Sequence, residues 1–333
     1  MKKGVLFVSI IVPCYNEEKN VGRCVDSVLA CEYENLEVIV VDDFSTDNTG
    51  DILEGYAKRG LLRYIRRSER GGTVKSINTG ARASSGSIIG IVPADSYVDK
   101  DWVRKAVEHF SQGGHIIAVG GPLKSTQSGY WNRCGELLDD YLLNAGAEVA
   151  ALPGANMFIR SDVLSALGFF DEGIEVGEDF DMNIRLRAYA KKSAGELVFD
   201  DQLKVYTAYP SSLADEARRR FRWGIGRARA LMKNRDISLK AWARTLYTPL
   251  LLGLSFLVVV SNQLASFLHW ITVFVLVLVV LSPVSILLAA LIYGSRRQQK
   301  NRTRRFEVVG MILLAYTRLV FGSLGSVWGL IRH

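Results

Sequence analysis

The chain has 333 residues, 49% of them hydrophobic, and carries 41 Lys and Arg against 34 Asp and Glu, a formal net charge of +7. That length suffices for one large α/β domain plus an appendage. Cys14, Cys24, Cys31 and Cys134 form no CxxC pair and have no histidine at metal-ligand spacing, which excludes a cysteine–histidine metal centre and leaves reduced thiols.

The start, Met1-Lys2-Lys3 followed by Val5 to Val12, imitates a signal peptide. No small-residue cleavage site follows, and Pro13-Cys14-Tyr15-Asn16-Glu17-Glu18 interrupts the run, so it reads as a first buried strand. From there strand-like runs at Val8–Val12, Glu37–Val41, Leu62–Ile65, Ser87–Val92 and Ile116–Val119 alternate with helical stretches at Glu17–Ala30, Thr46–Lys58, Thr73–Ala83 and Lys100–Phe110. That rhythm predicts an α/β fold with a doubly wound, mostly parallel sheet.

In such sheets a ligand sits outside the carboxyl ends of the strands. Tyr15 and Glu17 follow the first strand, Asp42 and Asp43 the second, and Asp95 the fourth. Acids at neighbouring strand ends are not needed for packing, and Asp42, Asp43 and Asp95 jointly point to ligand binding. Ser45 and Asp47 read as local turn or cap residues. No GxGxxG follows the first strand, and Arg70-Gly71-Gly72-Thr73-Val74-Lys75 fails the P-loop pattern. A nucleotide bound here would be held mainly by side chains.

Farther along, Gly177-Glu178-Asp179-Phe180-Asp181 opens a helix with a carboxylate cluster. The macrodipole favours negative charge there and can hold a general base ionised, although Asp181 reads better as helix-start charge alone. Arg218-Arg219-Arg220-Phe221-Arg222-Trp223 comes next. Arginines can grip a diphosphate and tryptophan can stack a sugar or base. Trp223 also suits a membrane-interface anchor, and Arg218, Arg219 and Arg220 suit lipid headgroups.

Residues 231–245 form a basic juxtamembrane segment, and 246–293 are almost free of charge, long enough for a helical hairpin with two crossings of roughly 20 residues each. A basic loop at 294–305 follows, so the positive-inside rule places both basic stretches in the cytoplasm. Their juxtamembrane position makes membrane-lipid phosphate the counterion, with no nucleic acid expected. The apolar stretch 306–331 carries Arg318 near its centre, at a cost of roughly 2.5–3.5 kcal/mol on translocon scales. It either spans with Arg318 facing a partner or lies along the interface; spanning is the reading taken.

The motifs in order resemble the family 2 glycosyltransferases with a GT-A fold, over roughly the first 230 residues by count. Val8-Ser9-Ile10-Ile11-Val12-Pro13-Cys14-Tyr15-Asn16-Glu17-Glu18 resembles that family's first strand and turn. Val40-Val41-Asp42-Asp43-Phe44-Ser45-Thr46-Asp47 resembles its nucleoside-binding strand, and Ile77-Asn78-Thr79-Gly80 its asparagine-glycine helix. Pro93-Ala94-Asp95 falls at the DxD motif, Glu178-Asp179 at the acidic pair, and Arg222-Trp223 at the end of QxxRW. The sequence departs from the pattern in Pro93 for the first DxD acid, Arg219 for the glutamine and Thr73 for a lysine.

The resemblance implies a GT-A domain over 1–230, a nucleotide-diphosphate sugar donor, and inversion by in-line displacement at the anomeric carbon. Pro13, Tyr15, Glu17, Asp42, Asp43, Asp95 and Arg222 are implied to bind the nucleotide sugar. Asp95 would also hold Mg²⁺ or Mn²⁺, with diphosphate oxygens and waters completing the shell. Asp179, paired with Glu178, would take the acceptor proton, and Trp223 would floor the acceptor pocket. Helices after the domain and Arg219 in the glutamine's place favour a non-processive enzyme. It would add one sugar to a lipid-linked or glycan acceptor at the cytoplasmic face of a multi-pass cell-membrane protein, similar to exopolysaccharide and cell-surface glycan assembly enzymes. A polyprenyl-phosphate sugar synthase and a processive polysaccharide synthase are alternatives within the class. Pro93 motivates one from another class, a non-catalytic membrane-anchored nucleotide-sugar scaffold.

Overall fold

A computed structural model describes residues 6–144, 152–174, 176–233 and 305–331. The chain divides into two compact units, Met1–Thr126 with Gly146–Ala208, and Gln127–Ala145 with Tyr209–His333. The hairpin expected over 246–293 lies outside the described residues, as do 234–245 and 294–304 of the basic segments flanking it.

The first unit is built on β1 (Val8–Cys14), β2 (Leu36–Asp42), β3 (Arg63–Arg66), β4 (Ile88–Ile91), β6 (Ile116–Gly120), β8 (Met157–Arg160) and β9 (Glu196–Phe199), in the order β3-β2-β1-β4-β8-β6-β9. All pairs are parallel except those of β8, which runs antiparallel to β4 and β6. The expected mostly parallel α/β sheet is therefore present. β5 (Tyr97–Val98), β10 (Val205–Thr207) and β7 (Leu123–Ser125) form a second, three-stranded sheet.

Every residue of β1 is buried, as a central parallel strand covered on both faces requires. Its side chains alternate between two cores. Val8, Ile10 and Val12 join residues of α1 (Val21–Leu29) and α4 (Trp102–Phe110) on one face. Ile11 meets Val74, Ile77 and Ala81 of α3 (Thr73–Ala83) and Met182 and Leu186 of α7 (Glu178–Ser193) on the other. A short α6 (Ser161–Ala166) leaves β8, and Val163 and Leu164 join this second core.

Two helices begin later than the periodicity predicts, for one shared reason. α1 starts at Val21 and α2 (Thr49–Lys58) at Thr49, because the residues before them bond to each other across the β1 and β2 loops. Asn16 N–H donates to Ser45 Oγ at 2.9 Å, Glu17 N–H to Thr49 Oγ1 at 2.8 Å, and Thr46 N–H to Asn16 Oδ1 at 2.9 Å. Asp47 accepts from the Glu18 and Thr49 N–H groups, which makes it the local feature its residue type suggested.

Among the described residues the second unit consists of α5 (Tyr130–Asn144), α8 (Leu213–Lys233) and α9 (Arg305–Ile331). Over Val309–Ile331, α9 is long and apolar enough to cross a membrane. α8 continues through residue 230, where the sequence reading ended the catalytic domain.

Candidate active site

Strand order and register set the expected site residues of the first unit along one end of the sheet. Cys14 of β1 lies opposite Asp42 of β2, so Pro13, Tyr15 and Glu17 emerge beside Asp42 and Asp43. β4 runs parallel to β1 on its other side and leads into Asp95. Because β8 is antiparallel to β4, with Ile91 opposite Met157, the segment entering β8 flanks the segment leaving β4. Gly154 in that entering segment donates its N–H to Asp179 Oδ2 at 3.3 Å, which brings the start of α7 to the same end.

Asp42 is fully buried and its carboxylate is engaged on both oxygens, by the Ser45 N–H at 2.8 Å and the Tyr64 hydroxyl at 2.9 Å. Asp43 accepts from the Gly71 and Gly72 N–H groups at 2.9 and 2.7 Å and from Arg67 Nη1 at 2.5 Å. It thereby fastens the loop after β3 to the end of β2. Arg70 in that loop lies over the half-buried Tyr15 ring, 4.1 Å from its centroid, a cation–π arrangement. Glu17, whose Oε2 accepts from Asn20 Nδ2 at 2.8 Å, has its carboxyl pushed up by burial, with the nearby charges of Asp95 and Asp47 adding to the shift against that hydrogen bond.

Asp95 is exposed, with the Ser96 hydroxyl 3.0 Å from Oδ1. Among the described residues no three or more His, Cys, Asp or Glu side chains cluster as a metal site. A single exposed carboxylate is a hard oxygen donor. It fits Mg²⁺ or Mn²⁺ when the rest of the shell comes from diphosphate oxygens and water, the habit of magnesium sites. Pro93 offers no carboxylate; its carbonyl accepts from the Ser96 N–H at 3.0 Å and from Cys24 Sγ at 3.5 Å. Burial pushes the Cys14 and Cys24 thiols far up, so neither is a poised nucleophile.

α7 opens after Gly177, whose φ of 84° is left-handed, and carries Glu178, Asp179 and Asp181 in its first turn. Asp179 Oδ1 accepts its neighbour Phe180's N–H at 2.8 Å, and its backbone carbonyl accepts from Asn183 Nδ2 at 2.7 Å. Asn183 also holds Leu152 through both backbone groups at 2.8 Å, so the 152–154 segment and the Asp179 turn form one hydrogen-bonded block. Burial, then the Asp179 charge, push the Glu178 carboxyl up to about 7. Asp181 is buried and paired with Arg185 Nη2 at 2.6 Å, a structural role consistent with its reading as helix-start charge.

Arg222 and Trp223 belong to the second unit, on α8, and both are exposed. The Trp223 ring has the Arg219 and Arg220 guanidinium groups each 4.5 Å from its centroid.

Several organising residues carried no role in the sequence reading. Buried Asn78 donates from Nδ2 to the Phe170 carbonyl at 2.9 Å and to Glu172 Oε1 at 3.0 Å, and accepts the Phe170 N–H at 3.0 Å, pinning the chain ahead of α7 to α3. Buried Asn156 accepts from Trp102 Nε1 at 3.0 Å and donates to the Leu203 carbonyl at 2.6 Å. Asn78 stood inside a quoted motif, which is a signal; Asn156 had none. Arg67 and Arg70 were visible as a basic run after the third strand.

Two family profiles match the chain, "Glycosyl transferase family 2" over residues 9–165 and "Glycosyl transferase family group 2" over residues 88–294, the latter more than half its length. The glycosyltransferase EpsJ of Bacillus subtilis is 29% identical over 62% of this chain and 63% of its own length, less than two thirds of that relative. The poly-beta-1,6-N-acetyl-D-glucosamine synthase of Staphylococcus epidermidis is 23% identical over 93% of this chain and 78% of its own. The mannosyltransferase PcManGT of Pyrobaculum calidifontis, solved with GDP-Man and Mn²⁺, superposes with a TM-score of 0.65 over 97% of this chain and 87% of that one at 18% identity, a likeness of fold. By profile match and by fold, this chain belongs to the family 2 glycosyltransferases of GT-A architecture.

Proposed function

We propose that the chain is an inverting transferase that moves one sugar from a nucleotide-diphosphate sugar to a lipid-linked or glycan acceptor at the cytoplasmic membrane face. The observation that carries this reading is the Gly154–Asp179 hydrogen bond, because it ties the acid pair of α7 to the sheet end holding Asp42 and Asp95. Pro13, Tyr15, Glu17, Asp42 and Asp43 line the nucleoside side of that end. Asp95 stands on the diphosphate side. A bound Mg²⁺ or Mn²⁺, held by Asp95, would neutralise charge developing on the leaving diphosphate; the Mn²⁺ and GDP-Man bound to the Pyrobaculum enzyme support this choice.

In the reaction the acceptor oxygen attacks the anomeric carbon from the face opposite the diphosphate. The new C–O bond forms as the bond to the nucleoside diphosphate breaks, and Asp179 takes the acceptor proton. Two backbone N–H groups orient that carboxylate, and orientation is the larger part of what such a displacement needs. Glu178 shares the negative charge of the pair. Arg222 and Trp223 keep the diphosphate and acceptor roles that the family resemblance gives them. Exopolysaccharide or cell-surface glycan assembly is the setting, as the staphylococcal relative supports.

Membranes bearing the full chain, incubated with a panel of radiolabelled nucleotide sugars with and without Mn²⁺ or Mg²⁺, test the proposal. Incorporation of label into an organic-extractable or glycan product is the expected result. Donor binding with neither transfer nor donor hydrolysis across the panel would leave the scaffold reading in its place. Transfer that survives Asp179→Asn would instead indicate a phosphate acceptor, which arrives ionised and needs no base.

A further inference from the structure

The strongest observation outside the sheet concerns what α9 lies against. Its neighbour α8 runs parallel to it in close register. Arg318 Nε donates to Glu216 Oε1 at 2.5 Å, a Cβ on Gly325 would stand 1.9 Å from the Phe221 carbonyl oxygen, and a Cβ on Gly329 would stand 2.9 Å from that of Ile225. Gly224 is as tight against Gly322, with its Cβ position 2.1 Å from that carbonyl oxygen. Backbones this close leave no room for lipid between the two helices.

That register decides the orientation of α9 in a bilayer. Val309–Ile331 is 23 residues, about 35 Å of helix, and would fill the hydrocarbon if upright. The stretch of α8 alongside Arg318 to Gly329 would then sit at hydrocarbon depth too. It carries the exposed Arg218–Asp215 ion pair, 2.5 Å apart with side chains 73% and 39% exposed, and the exposed Arg222. Both the pair and the lone arginine would be costly to hold in hydrocarbon. Arg318 itself is no obstacle, being paired inward with Asp139 and Glu216. The charges of its packing partner forbid the upright pose.

Laid flat, the same helix has a matching surface. Leu313, Tyr316, Phe321, Leu324, Trp328 and Ile331 are exposed and recur at steps of three to five, a helical apolar face. The opposite face is consumed by α5 and α8, through Leu314, Cys134 and Leu138 and the Arg318 ion pairs. We infer that α9 is an in-plane membrane-surface helix, its exposed apolar face sunk at the acyl–headgroup boundary and the exposed Arg218 of α8 beside anionic headgroups. Positive charge on the packed partner complements an anionic lipid surface. The chain ahead of α9 adds a tether: residues 294–305 allow no more than about 40 Å between α9 and the uncharged 246–293 segment. The inference rests on the membrane reading of that segment and makes no use of the transferase reaction.

Two measurements on the full chain in phosphatidylcholine–phosphatidylglycerol vesicles test it. The four native cysteines are buried and can stay in place. With Asn301→Cys and His333→Cys, a membrane-impermeant maleimide should reach both positions from the same face; labelling from opposite faces would overturn the in-plane helix. Nitroxides on Leu313→Cys, Tyr316→Cys, Leu324→Cys and Trp328→Cys should report one shared shallow depth, within about 5–10 Å of the headgroups. A depth profile that rises and falls along the helix overturns it in favour of a span. Uniform water exposure, or burial without lipid contact because another protein segment or a second copy covers the face, overturns it as well. Alkaline carbonate extraction reports on 246–293 separately: release would remove the hairpin, while the depth readings still decide α9.

Discussion

The backbone N–H of Gly154 donates to Asp179 Oδ2 at 3.3 Å, and a Cβ built on Gly154 would stand only 2.9 Å from the Asp179 Cβ. The loop entering β8 and the first turn of α7 thus approach as closely as a glycine allows.

Gly154→Ala forces one of those segments to shift while removing no carboxylate from the chain. Transfer should slow by about 10- to 100-fold in kcat, since small displacements of a reacting group are costly, with little change in donor KM. Asp179→Asn should cost about 10²–10⁴-fold. Initial rates of radiolabelled sugar transfer check both; a Gly154→Ala enzyme with the unaltered rate would show that the position of Asp179 is not critical.

Glu178 makes stability depend on pH. Its carboxyl in the folded state, at about 7, lies above its ordinary value of 4.5, so between these the native state holds more protons than the unfolded chain. The contribution to stability is therefore complete below about 4.5 and lost as pH rises through about 7. Glu178→Gln should flatten that decline and exceed the unaltered chain at about pH 8 by on the order of 1–3 kcal/mol. Thermal midpoints of both proteins across the range provide the readout.

Asp95, just after β4, is exposed and its charge acts on Glu17, so metal dependence should converge on it. Chelation by EDTA should abolish transfer, and Asp95→Asn should raise the Mn²⁺ concentration for half-activation by at least about tenfold. An unchanged metal titration in Asp95→Asn would assign the cation elsewhere.

Asn78→Ala removes a buried amide that serves two backbone groups of Phe170 and the Glu172 carboxylate. Leaving the Phe170 groups unpaired should cost about 2–4 kcal/mol. Chemical denaturation of the detergent-solubilised chain would reveal it.

In the helical unit, Arg318 pairs with both Asp139 and Glu216, and Glu216 is shared with Arg220 Nε at 2.8 Å. Arg318→Met leaves two acids against one arginine in a buried setting, which should cost about 3–5 kcal/mol. Adding Asp139→Asn should recover part of the loss, a coupling that the four-protein thermal cycle measures.

Much of the site could be read locally. The runs at Val8–Val12, Glu37–Val41 and Thr73–Ala83 announced themselves by periodicity, and the acids after the two strands by position, because both signals act within a few residues. β8 and β9, four residues each, are too short to carry such a signal, and the antiparallel direction of β8 has none at all. The starts of α1 and α2 were misplaced because the bonds that delay them cross from one loop to another, 29 to 32 residues apart.

The sequence by itself determined the family, the alternating α/β framework and the chemistry available at each strand end, since composition, period and motif order are properties of neighbouring residues. Tertiary structure alone decided that β8 turns back to set Gly154 against Asp179, that Asn78 pins the approach to α7, and that α9 lies packed on a charged helix. Those outcomes depend on partners 25 to 102 residues apart, chosen by burial and close packing of the whole chain, which no local stretch encodes.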